Sequence, residues 1–136
     1  MTRKAILLTA VLATAWPQVH AADAGDDSRY ASADLNRAKL LYRIQCQACH
    51  TLEADGPQKV GPSLHGILGR RAAALDEFTG YSEALRDSQI TWTPEALERW
   101  LAKPSELVPG NVMAFIGVPN EQDRINLVAY LMQEGQ

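Results

Sequence analysis

An all-α domain is the fold class this sequence predicts, and three observations predict it. Apolar residues recur at helical spacing in separate segments, one before and one after the middle of the chain. No run alternates apolar and polar residues as a half-buried strand would. Between the helical segments lies a long stretch broken repeatedly by glycine and proline, which carries neither period. The 136 residues, 46% hydrophobic and 21% charged, are ordinary for one globular domain rather than a disordered or fibrous chain.

The N-terminus reads as an export signal. Arg3 and Lys4 give a positive start, Ala5 to Trp16 carries no charge, and Val19-His20-Ala21 puts small residues where signal peptidase reads them. Residues 1–21 are expected to be a signal peptide cleaved after Ala21. An uncleaved anchor is the alternative, because the apolar cores of the two overlap in length. In both cases the folded part lies outside the cytoplasm. No stretch reaches the roughly 20 apolar residues that span a bilayer, so no stable membrane insertion of the mature chain is expected. Without residues 1–21, Lys+Arg falls from 13 to 11 against Asp+Glu 16, a net charge of −5. That balance argues against a nucleic-acid or anionic-membrane partner, which would want a basic surface.

Residues 22–32, with Asp23, Gly25, Asp26 and Asp27 and no apolar period, read as a flexible leader, and residues 33–136 as the domain. From Asp34 to Gln45, Leu35, Ala38, Leu41 and Tyr42 recur at helical spacing, with Ser32 or Asp34 available as N-cap, so a helix delivers the chain to Cys46. From Thr51 to Ala74 glycine and proline leave a long loop. A loop of that length in a compact domain needs an organiser other than packed secondary structure, and a large apolar cofactor would serve. Ser82 to Asp87 form a short helix. Thr93 caps and Pro94 opens another that ends before Pro104, and Asn120 caps a last one whose apolar face carries Ile125, Leu127, Val128, Leu131 and Met132.

The chain's only cysteines, Cys46 and Cys49, lie in Cys46-Gln47-Ala48-Cys49-His50. Three uses are open to such a pair in an exported protein: a disulfide, a metal site or haem attachment. A zinc site needs two further Cys or His ligands, and beyond His50 the mature chain offers only His65. A thioredoxin-like pair would follow a strand and open a helix, whereas these cysteines follow a helix. Haem attachment explains all three residues: two thiols form thioethers to the porphyrin, and the adjacent histidine becomes an axial iron ligand. Opposite it, Met113, in a loop after Pro109-Gly110, is the natural sixth ligand. Met132 suits core packing, and His65 is the fallback ligand.

Here the sequence resembles the class I cytochromes c, of the soluble monohaem type found in bacterial periplasm and in mitochondria. The resemblance runs from Asp34 to Leu131. It rests on the Cys46–His50 motif, Gly61-Pro62-Ser63-Leu64-His65-Gly66 with Gly69-Arg70, Phe78, Tyr81-Ser82, Ile90-Thr91-Trp92, Pro104, Pro109-Gly110-Asn111-Val112-Met113-Ala114-Phe115 and Leu127-Val128-Ala129-Tyr130-Leu131. It implies a cytochrome c fold of three to five helices wrapped around one covalent haem c and its iron, with the N- and C-terminal helices crossing so that Tyr42 and Tyr130 meet near Ala38. His50 and Met113 would bind the iron, and the Pro62 carbonyl would accept the His50 Nδ1–H and fix its tautomer. Arg70, Tyr81 and Trp92 match positions that hydrogen-bond the haem propionates, and Asn111 and Trp100 match positions near the methionine sulfur.

The implied function is one-electron transfer between periplasmic redox partners, by a monomer that breaks no substrate bond and is not an enzyme. The partners would be a membrane oxidase, a reductase or a periplasmic dehydrogenase of a respiratory chain. A dedicated dehydrogenase subunit and a haem sensor or peroxidase-like protein with a weakly held Met113 are the competing readings. Two departures from the family pattern stand out. Ala38 replaces a common glycine at the helix contact. Where mitochondrial members ring the haem edge with lysines, this chain has Leu40, Gln45, Lys59, Ser105, Glu106, Val112, Pro119 and Asn120, so only Lys59 keeps its charge. An apolar contact through Leu40, Val112 and Pro119, weakly dependent on salt, is therefore expected with the partner.

Overall fold

The structure is a computed structural model and describes residues 28–136; the signal-peptide reading of residues 1–21 and the start of the leader lie outside the described residues. Among the described residues there are six helices: α1 (Ser28–Ala31), α2 (Leu35–Gln45), α3 (Glu83–Asp87), α4 (Pro94–Ala102), α5 (Pro104–Leu107) and α6 (Glu121–Glu134). No strand forms among them; one isolated antiparallel bridge pairs Arg71 with Thr91. None of these helices is long and apolar enough to cross a membrane.

Local chemistry explains where the helices begin. The side chains of Asp34, Ser82, Thr93 and Asn120 each accept the backbone N–H three residues on, which satisfies one of the donors a helix N-terminus leaves over. Pro104 ends α4 as expected, yet it also opens α5, because its fixed φ suits a first helical position and its missing N–H costs nothing there.

Two single-turn helices, α1 and α5, take the count past the expected three to five. The first corrects the reading of residues 22–32 as a loose leader throughout. Tyr30 is 5% exposed and belongs to the core, its hydroxyl donates to Glu98 Oε2 at 3.2 Å, and the Arg29 guanidinium bridges Glu98 and Glu121, both at 3.2 Å. One buried aromatic ring outweighs the polar average of the segment around it.

The last helix is the hub: α1, α2 and α4 all pack on α6. Its buried residues are Ile125, Asn126, Leu127, Val128, Ala129 and Leu131; those of α2 are Ala38, Leu41 and Tyr42. Ala38 has no exposed surface at all, so the packing absorbs the methyl that replaces glycine. Tyr42 and Tyr130 meet as expected, with ring centroids 5.7 Å apart and planes tilted by 44°. Polar bonds fix the register of the two helices. Buried Asn126 accepts the Asp34 N–H at 3.0 Å, and Arg37 grips both Asp123 oxygens at 2.9 and 2.8 Å.

Candidate haem site

The cysteine motif leaves α2 as a tight turn, with the N–H groups of Cys49 and His50 both donating to the Cys46 carbonyl. The chain then loops back on itself, and residues 59–62 run across the motif: Gly61 N–H donates to Cys49 O at 2.8 Å, and Pro62 O lies 2.7 Å from His50 Nδ1. A carbonyl can only accept, so Nδ1 carries the proton and Nε2 keeps its lone pair. Burial pushes the His50 imidazole's pKa down; the Pro62 bond opposes that shift and the charge of Lys59 adds to it. Gly61 is the close approach that makes this possible, since a Cβ there would overlap the His50 ring.

A second pairing builds the other wall. The backbones of residues 69–72 and 90–92 are zipped by Gly69 N–H to Trp92 O at 3.0 Å, Trp92 N–H to Arg70 O at 2.9 Å and Ala72 N–H to Ile90 O at 2.8 Å. Arg70 and Trp92 are thereby neighbours. The Arg70 guanidinium donates to His65 O at 2.8 Å and Ser63 O at 2.7 Å, while burial, partly offset by Tyr81 and Glu77, lowers its pKa. Trp92 packs edge-on to Trp100 with centroids 5.3 Å apart, and Tyr81 edge-on to Phe78 at 4.8 Å.

The third wall is the loop from Pro109 to Asn120. Asn111 turns back on its own backbone, its Nδ2 donating to Val108 O at 2.9 Å and its Oδ1 accepting the Met113 N–H at 3.1 Å. Val118 N–H donates to Leu101 O at 2.7 Å, and Arg124 Nη1 donates to Val118 O and Pro119 O at 2.9 and 2.8 Å. Gly117 has φ of 104°, and a Cβ there would overlap the Ala102 carbonyl.

These three walls enclose an apolar slot of about 260 Å³ whose lining includes Leu97, Leu101, Leu127 and Leu131. All nine residues singled out in the sequence line it: Cys46, Cys49 and His50 on one side with Pro62, Arg70, Tyr81 and Trp92 on the next, and Asn111 and Met113 on the loop. His65 does not. Its Nδ1–H donates to Leu52 O at 3.2 Å, and it faces a separate, more polar cavity of about 650 Å³ between α2, residues 51–59 and the end of α6. Met132 packs against the core instead of the slot.

No protein-family model matches the sequence. Curated relatives do. A cytochrome c of Gibberella zeae is 37% identical over 101 residues, 74% of this chain and 94% of that protein. The chain belongs to the cytochrome c family. A cytochrome c of Theileria parva is 38% identical over 100 residues, 74% of this chain and 85% of that one. A bacterial relative, cytochrome c-type cyt cy of Rhodobacter capsulatus, is 39% identical over 100 residues, but the match spans only 49% of its length.

Cytochromes c carry a covalently attached haem c with its iron and transfer electrons through it, and the residues present fit that cofactor. The slot brings two thiols and a histidine with a directed Nε2 to one wall, has leucine and tryptophan faces for a flat apolar macrocycle, and includes Arg70, Tyr81 and Trp92 in its lining. Two side chains gained roles that sequence reasoning missed. Lys59, read as a docking lysine, donates from Nζ to Gln47 O at 2.6 Å and His50 O at 3.0 Å. Arg124, not singled out at all, secures the end of the Met113 loop.

Proposed function

We propose that this cytochrome c shuttles single electrons between redox proteins outside the cytoplasm, with its iron held between His50 and Met113 and its signal peptide removed after Ala21. The observation that carries the ligand assignment is that both side chains line one apolar slot, with the Pro62 bond leaving His50 Nε2 as the ring's only lone pair. The haem, when bound, supplies a reversible one-electron couple. The protein's part is to hold that couple steady. The Pro62 carbonyl keeps the His50 ring from turning and makes it a stronger donor. The Asn111 turn fixes the backbone of Met113, whose soft thioether favours reduced iron. Trp92, Trp100, Leu97 and Leu127 would keep water from the macrocycle, and Tyr81, Trp92 and the N–H groups that Arg70 has to spare would pair the propionates.

Partner choice follows from the surface. Val60 and Val112, which line the slot, are 82% and 70% exposed; Ile116 on the Met113 loop is 90% exposed, and on α2 Ile44 is 68% and Leu40 49% exposed. A membrane oxidase, a reductase or a periplasmic dehydrogenase of a respiratory chain, meeting a monomer through these apolar side chains, is the partner class this supports. The test of the ligands is a ferric optical spectrum with a redox titration on the wild type and Met113→Ala. Loss of the methionine-to-iron charge-transfer band and a lower potential are expected; an unchanged spectrum in the variant refutes the assignment.

A further inference from the structure

Lys59 is the one basic residue left at the family's docking positions, yet its charge does not point at a partner. The side chain is half-buried, and Nζ donates to Gln47 O at 2.6 Å and His50 O at 3.0 Å. Two residues on, Gly61 N–H takes Cys49 O, and Pro62 O takes the His50 ring proton. Residues 59–62 therefore make four bonds to residues 47–50, and three of the four carbonyls in that stretch are satisfied by this one segment. Lys59 is in none of the ion pairs found among the described residues, so no carboxylate is in direct contact with it, although Glu53 and Glu134 line the same cavity.

We propose that Lys59 is a positioning and potential-setting residue: its ammonium clasps the haem-attachment segment from behind and, as a fixed positive charge against the His50 peptide, favours the ferrous over the ferric iron. The sign follows from charge alone. Ferric haem carries one positive charge more than ferrous, and a nearby cation in a partly desolvated site destabilises the more positive state. Carbonyl bonds hold the ammonium at this distance from the iron ligand, where a mobile surface lysine would be screened by salt. The inference rests on His50 as iron ligand.

The haem-loaded protein is compared as wild type, Lys59→Met, Lys59→Gln and Lys59→Arg, by optical spectrum and by potentiometric titration at low and high salt. Both neutral variants should keep the wild-type spectrum, while their equilibrium with a fixed mediator shifts toward the oxidised form by about threefold, a fall of about 30 mV at roughly 59 mV per tenfold for one electron. Lys59→Arg should keep the wild-type potential, and the shift should persist at high salt. Neutral variants with the wild-type potential overturn the proposal, as does a fall in Lys59→Arg equal to theirs, which would make geometry rather than charge the cause. The ligand assignment fails separately, on the wild-type and Met113→Ala spectra, and the difference between the neutral and Arg variants reads Lys59 alone.

Discussion

The His50 carbonyl has two donors, and that duplication makes a quantitative prediction. Tyr42 Oη donates to it at 3.2 Å in a buried bond, and Lys59 Nζ at 3.0 Å. Tyr42→Phe removes one donor and leaves the carbonyl paired, so it should cost about 0.5–1.5 kcal/mol, the net worth of a neutral hydrogen bond. Lys59→Met removes the charged donor, but Tyr42 still serves His50 and water can reach Gln47. Its cost should be near about 1.5 kcal/mol, the low end for a charged bond. The double variant leaves the carbonyl of this buried residue with neither side-chain donor, and an orphaned buried acceptor costs about 1–3 kcal/mol in its own right. The double loss should therefore exceed the sum of the singles by about 1 kcal/mol or more. Burial pushes the Tyr42 phenol up to about 12, aided by its neighbours Cys46 and Tyr130, so the hydroxyl remains a donor throughout the usable pH range. The measurement is a double-mutant cycle from denaturant unfolding of the haem-loaded protein, followed by far-ultraviolet circular dichroism. Additivity within about 0.3–0.5 kcal/mol, the norm for independent sites, would refute the shared-carbonyl reasoning.

Gly61→Ala puts a methyl into the His50 ring, and since Pro62 holds the ring by Nδ1 it should cost about 1–3 kcal/mol and alter the ferric spectrum; wild-type stability and spectrum together would contradict the close approach. The Arg37 bond holds the Asp123 carboxyl below the usual carboxylate range, with burial acting against it. A depressed folded-state pKa adds stability that is fully present above the unfolded value near 3.8 and is lost as pH falls through the folded one, so Arg37→Ala should flatten the fall in stability below about pH 4. An acid titration of unfolding free energy checks this, and identical slopes in the two proteins would count against it. With apolar side chains at the slot's mouth and Lys59 turned inward, the rate of electron exchange with the physiological partner should vary little with ionic strength; a steep fall with added salt in stopped-flow measurements would reinstate charge steering.

What the sequence made legible was whatever is written locally. The caps of α4 and α6 and the apolar faces of α2 and α6 depend on residues three or four apart, and they appear where spacing predicts them. The cysteine motif is equally local. Met113 follows by elimination among few candidates, but the gathering of Arg70, Tyr81, Trp92 and Asn111 around one slot was not derivable from spacing; it came from resemblance to a family. Turn α1 escaped because a single buried ring, Tyr30, decides it. Lys59 and Arg124 escaped for a different reason: their partners are backbone carbonyls, which every residue possesses, so nothing in the residue types at Gln47, His50, Val118 or Pro119 marks them as acceptors.

Those carbonyl bonds also bear on why a chain so poor in secondary structure around its slot can be rigid there. Loops lack the ladders that satisfy backbone groups, and a backbone acceptor near a dry slot must be paired by something. This protein uses one basic side chain per wall, each serving two carbonyls. Lys59 holds Gln47 and His50, Arg70 holds Ser63 and His65, and Arg124 holds Val118 and Pro119. In each case the cation bridges carbonyls one to three residues apart, so it fixes the local path of the chain as a helical turn would. Three of the 13 basic residues are thus spent inward, in a protein whose formal charge is already −3. An ammonium committed to two carbonyls, as at Lys59, is drawn away from a partner's carboxylate, whereas a guanidinium such as that of Arg70 keeps further N–H groups to offer. The order of these loops thus draws on Lys and Arg that an outward-facing basic surface would otherwise use, which agrees with the weak electrostatic steering proposed for partner docking.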